Sequence, residues 1–112
     1  MTQENKELLI KDLCTRLPYG VKVPVKEDYA YDGKIISGMT KGGLVYINPF
    51  SYKIKDIKPY LFPISSITDE QIEYCQKLDI AGKVDWLNAH HFDYRGLIDK
   101  GLAINATNLN IY

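Results

Sequence analysis

His90-His91-Phe92-Asp93 is the one place in this sequence where metal-capable and acid–base side chains stand together. Neighbouring residues on a helix point about 100 degrees apart, so the two histidines cannot converge on one ion; zinc-binding helices space theirs by three or four. The expected role is structural. One histidine would sit by the carbonyls that end a helix, and the other would pack on Trp86 or Phe92. A catalytic histidine working with Asp93 or Cys75 is the reading left over, and nothing in the spacing favours it. Cys14 and Cys75 lie far apart, outside any CxxC or Cys/His spacing, each in an apolar helical pattern. That is the pattern of buried free thiols. No phosphate-binding glycine loop, dinucleotide fingerprint or nucleophile elbow is present. The expectation is a non-enzymatic protein that needs neither cofactor nor metal.

A second set of residues suits binding. Tyr29, Tyr31, Tyr46, Tyr52 and Tyr60 interleave with Lys34, Lys41, Lys53, Lys55 and Lys58. Exposed aromatics flanked by lysines can stack bases and hold phosphates, as on small β-barrels that bind single strands. The same tyrosines suit a protein interface or plain sheet packing. The binding candidates are therefore Tyr46, Tyr52, Lys53 and Lys55 in this region, and Trp86, His90, His91, Tyr94 and Arg95 further on. Net charge is zero, which disfavours a strong phosphate-driven footprint, but its distribution is uneven. Residues 29–62 carry five Lys against two Asp, and residues 63–112 carry four basic against seven acidic side chains. Such asymmetry can steer a partner.

The elements that must position these residues follow from periodicity. Leu9, Ile10, Leu13 and Leu17 form a helical stripe, with Lys6, Glu7, Lys11, Asp12 and Arg16 assigned to the solvent side. Leu17-Pro18-Tyr19-Gly20 stops this helix. The period then falls to two: Val21, Val23 and Val25 alternate with Lys22, Pro24 and Lys26, as on a strand with one buried face. Asp32-Gly33 predicts a tight hairpin, a strand follows through 34–40, and Gly42-Gly43 turns the chain into Leu44–Asn48, which Pro49 ends. Tyr52–Lys55 supplies a fourth short strand. The resulting expectation is a four-stranded, curled antiparallel sheet, with a small SH3-like barrel as its closed form.

Pro59-Tyr60-Leu61-Phe62-Pro63 reads as an extended segment that buries Leu61 and Phe62. Thr68 and Gln71 fit a capping box, with Ile67 and Ile72 as its hydrophobic staple. That helix would turn Ile72, Cys75 and Leu78 inward and close near Gly82. A further helix is expected over 84–91, with Val84, Leu87 and His91 on one side. A last short one, capped by Asp93 and ended by Gly101, would hold Leu97 and Ile98. The tail to Tyr112 reads as extended and anchored. The whole is an α+β chain with an N-terminal helix, the sheet, and two to three C-terminal helices. Its 112 residues fit one domain spanning 1–112. With no membrane-length apolar run and no signal-peptide pattern, it is expected in the cytoplasm.

Three segments carry a resemblance: residues 9–21 (LIKDLCTRLPYGV), 58–68 (KPYLFPISSIT) and 86–98 (WLNAHHFDYRGLI). They resemble a family of small uncharacterised proteins found in prophages and mobile elements of gut anaerobes. The resemblance implies a phage or mobile-element accessory protein and supplies no activity. By analogy with such accessory proteins, the expected partner is a host or phage protein, a host defence component among them, and the chain would act as adaptor or inhibitor. A nucleic-acid-binding barrel using Tyr46, Tyr52, Lys53 and Lys55 is the alternative, and a small-molecule or nucleotide binder is a further one.

Overall fold

The computed structural model describes residues 1–24, 34–47 and 50–112. Helix α1, Gln3–Arg16, begins where the Thr2 hydroxyl accepts the Asn5 N–H at 3.1 Å. It ends in a single 3-10 turn, Leu17–Tyr19, with Gly20 left-handed at φ +70°. Leu9 and Leu13 are fully buried, and so are Asp12 and Arg16. Charge alone predicts a solvent position for both of the latter. They nonetheless share one face with Leu9 and Leu13, because 9, 12, 13 and 16 follow the spacing i, i+3, i+4, i+7.

The middle of the chain forms two small antiparallel sheets. In the first, β1 (Lys22–Val23) pairs with β2 (Lys34–Ile35); in the second, β3 (Gly38–Met39), β4 (Leu44–Ile47) and β5 (Phe50–Lys53) form a meander. The expected continuous strand over 34–40 is thus divided. The Ile36 N–H donates to Val21 and the Ser37 N–H to Tyr46, so the chain changes pairing partner at this point. This partner switch replaces the four-stranded sheet, and the described residues close no barrel. The Asp32-Gly33 turn, Val25, Tyr29, Tyr31 and Pro49 lie outside the described residues. After β5 the chain enters a 3-10 turn, Ile54–Asp56, rather than continuing as a strand to Lys55.

A third sheet organises the remainder. Its middle strand is β6, Tyr60–Pro63, flanked in parallel by β7 (Phe92–Asp93) and β8 (Ile104–Asn105). Parallel neighbours require a crossover, supplied here by α2 (Asp69–Gln76) and α3 (Ile80–Ala89) between β6 and β7. The capping box at Thr68 and Gln71 forms as read. Gly82 does not close this helix. It lies inside α3, and its N–H donates to the Asp79 cap. No residue of α2 is buried, so Ile72 and Cys75 do not enter the core. Asp93 does cap, through the Leu97 N–H at 2.8 Å and the Ile98 N–H at 2.9 Å, but what it caps is a turn rather than a helix.

One apolar cluster joins these parts. Leu9 and Leu13 of α1 meet Val23, Val45 and Ile47 of the first two sheets, Val21, Ile36 and Ile54 just beside those strands, Leu61 of β6, and Leu97 and Leu102 from the segment between β7 and β8. No helix among the described residues is long and apolar enough to cross a membrane.

Candidate functional site

The His90 to Arg95 segment is held inside the fold by its own contacts. The backbone turns left-handed at His91, φ +63°, so the two rings separate. The His90 ring stacks on Trp86 at 4.0 Å, and its Nδ1 lies 2.9 Å from the Trp86 carbonyl, which puts the proton on that nitrogen. His90 thus combines the two structural roles expected of the pair. His91 stacks instead on Tyr112, with ring centroids 3.6 Å apart and planes within 13°. Burial, with help from Arg16, His90 and Lys22, lowers the His91 pKa to about 4, so the ring is neutral near pH 7. Burial likewise raises the Tyr112 hydroxyl to about 12. It remains protonated, donating to the Tyr60 carbonyl and accepting the Lys22 N–H, each at 2.8 Å.

Beside these rings lies a buried charge cluster. Arg16 donates to both Asp12 oxygens, at 2.8 and 3.1 Å, and to the Phe92 carbonyl at 2.7 Å. Arg95 reaches the same carboxylate at 2.8 Å and Thr15 Oγ1 at 3.3 Å. Both guanidinium groups lie near the Tyr94 ring, at 5.3 and 4.7 Å, while the Tyr94 hydroxyl donates to Asn88. One carboxylate therefore serves two cations. Among the described residues, Arg16 Nη1 and His91 Nδ1 are buried without hydrogen-bond partners. This arrangement docks α1 onto β7 and the turn after it. The expected dyads do not form around it: both Asp93 oxygens are committed to backbone N–H groups, and the His91 ring faces Tyr112. No group of three or more His, Cys, Asp or Glu among the described residues could hold a metal ion.

The cysteines differ from expectation as well. Cys14 is exposed, its thiol 3.6 Å from the Met39 sulfur, and Cys75 is half-buried. Cys14 lies on the exposed side of α1, and Cys75 belongs to a helix, α2, that buries no residue.

The strand residues divide by the two-residue period. Tyr46 is 44% exposed and lies opposite Ser51, whereas Tyr52 lies opposite buried Val45 and packs against the core. The two tyrosines thus face opposite sides of the meander and cannot form one stacking platform. Lys53 and Lys55 do come together, across a cleft of about 410 Å³, with Lys6 of α1. Periodicity predicts only a solvated helix face for Lys6, and no local pattern links it to Lys53. Gly43 forms part of the floor at φ +90°, where an added Cβ would stand 3.0 Å from Ile54 Cγ2 and 3.3 Å from Lys6 Cε. Gly43→Ala is expected to cost about 1–3 kcal/mol, read as a lowered urea midpoint with unchanged slope.

A further set of exposed apolar side chains lies on α2 and α3. Ile72, Tyr74, Ile80 and Val84 are all exposed, Ile80 to 81% and Tyr74 to 55%. Ile80 and Val84 stand four apart and so share a helix side. The surrounding charges are Asp69, Glu70, Glu73, Asp79 and Asp85 against Lys77 and Lys83. Sequence reasoning missed this surface because it turned the apolar residues of α2 inward. Trp86 is half-buried between Tyr74, His90 and Phe92 and links the helix pair to the β6–β7 edge.

The chain matches no protein-family model, and no curated protein and no solved structure matches it at a significant level.

Proposed function

We propose that the protein is a non-enzymatic interaction module, a phage or mobile-element accessory protein of the bacterial cytoplasm, that binds a host or defence component through α2 and α3. The observation that carries this reading is the solvent exposure of Ile72, Tyr74, Ile80 and Val84 on helices of which α2 buries no residue. Apolar exposure of this kind marks protein interfaces, and tyrosine is among the residues enriched there. The surrounding excess of carboxylates specifies a partner with an apolar centre and a basic rim. The resemblance of residues 86–98 to mobile-element proteins supports the biological setting. The Trp86 to Arg95 segment then positions the helix pair, with only its edge, Trp86 and His90, near the partner.

The test uses the folded protein as bait in host lysate, beside an Ile80→Asp/Val84→Asp variant. Wild type is expected to retain one stoichiometric protein that the variant retains at least tenfold less, while both melt at the same temperature because the substituted positions are exposed. Equal capture by the two baits, or repeated failure of wild type to retain anything, overturns the proposal.

A further inference from the structure

We propose that the cleft between α1 and the Gly42-Gly43 turn binds a small organic anion: a phosphate group carried on a flat apolar body. This goes beyond the interaction surface above, from which it takes no residue. The cleft measures about 410 Å³, within the roughly 300–1,000 Å³ range of small-molecule sites. Its floor is apolar, made by Gly43, Leu44 and Ile54, and three lysines stand around it. They come from three separate elements: Lys6 from α1, Lys53 from the end of β5, and Lys55 from the 3-10 turn that follows.

None of the lining residues is acidic, and none of the three lysines is ion-paired among the described residues. Three cationic side chains on a cleft whose lining holds no carboxylate attract an anion. The missing Cβ at Gly43 is what lets Lys6 lie close over the floor. A phosphate dianion suits three ammonium donors better than a single carboxylate does, since it offers more charge and more acceptor oxygens. The apolar floor favours a ligand with a planar organic body over a bare ion. A nucleic-acid strand fits less well, because it needs successive stacking faces, and Tyr52 is turned into the core while Tyr46 alone of the pair faces out.

The probe is 1-naphthyl phosphate, titrated at low salt into isotope-labelled full-length protein and followed by backbone amide shifts. Saturable shifts are expected at Lys6, Gly42, Gly43 and Ile54. Inorganic phosphate and neutral 1-naphthol should each bind at least tenfold more weakly. The Lys6→Ala/Lys53→Ala/Lys55→Ala variant should lose at least tenfold in affinity with its melting temperature unchanged; Lys53→Glu, a single exposed substitution, should weaken binding in the same direction. Absence of saturation overturns the assignment, as do shifts mapping to other residues or equal binding by the triple variant. Tighter, salt-dependent binding of oligothymidylate at the same residues would also overturn it, in favour of a strand backbone. Capture of a partner by α2 and α3 is independent of all these outcomes.

Discussion

Asp12→Ala is expected to lower the unfolding free energy by about 3–5 kcal/mol in urea denaturation, far more than the loss of an ordinary surface pair. Asp12 and Arg16 are both fully buried, so neither charge can be returned to water by a small rearrangement. Removing the carboxylate leaves Arg16 with the Phe92 carbonyl as its remaining partner among the described residues, and Nη1 is already without one. It also removes the ion pair between Arg95 and α1, leaving Arg95 only its longer bond to Thr15 Oγ1 there. The double variant Asp12→Leu/Arg16→Met removes both charges and keeps the volume apolar. It should lose less than Asp12→Ala alone, since much of the single-variant cost is the buried charge left behind. A loss under about 1 kcal/mol for Asp12→Ala would mean that the cluster is wet and contributes as surface pairs do.

Acidification is expected to weaken the fold through His91. The ring has a pKa of about 4 when folded, against 6.5 ordinarily. Between those values the unfolded chain binds a proton that the folded chain refuses. Stability from this residue is therefore complete above about pH 6.5 and is lost as pH falls toward 4, by up to about 3 kcal/mol. Carboxylates also titrate at the lower end of that window, so the informative quantity is the difference between wild type and His91→Asn. Asparagine tolerates the left-handed backbone at this position and does not titrate. The variant should be less stable at pH 7, and its stability should vary less between pH 6.5 and 4. Identical pH slopes for the two proteins would show that His91 takes up its proton in the folded state as freely as in the unfolded one.

Residues that signal locally were legible from the sequence. The capping box needs only Thr68 and Gln71, and both hydrogen bonds form. The proline-bounded segment is extended, with Leu61 buried, and the tail pairs beside it. The coarse α+β composition with an N-terminal helix was legible for the same reason. What could not be read depends on distant partners. The strand over 34–40 carries one continuous signal, yet its pairing divides between Val21 and Tyr46, a choice set by tertiary geometry. Charge alone predicts a solvent position for Asp12 and Arg16, whereas their spacing puts them on the Leu9–Leu13 face, where both are buried. The i, i+4 opposite pair on the Leu9–Leu13 face was the available sign, and the carbonyl at Phe92 that makes burial tolerable lies 76 residues away from Arg16. The lysine cleft shows the same limit, since Lys6 meets Lys53 only after α1 lies across the meander.

The order of strands in the third sheet has a consequence for synthesis. Strand β6 leaves the ribosome with neither neighbour made, because both β7 and β8 are encoded after it. Residues 62–63 lack their native ladder until residues 92–93 are made, and residues 60–61 lack theirs until residues 104–105 are made. Long-range parallel pairing is slow to form, so β6 stays unpaired in the nascent chain until β7 and then β8 have been added. Tyr112, encoded after all three strands, then stacks on His91, and its hydroxyl joins the Lys22 N–H and the Tyr60 carbonyl.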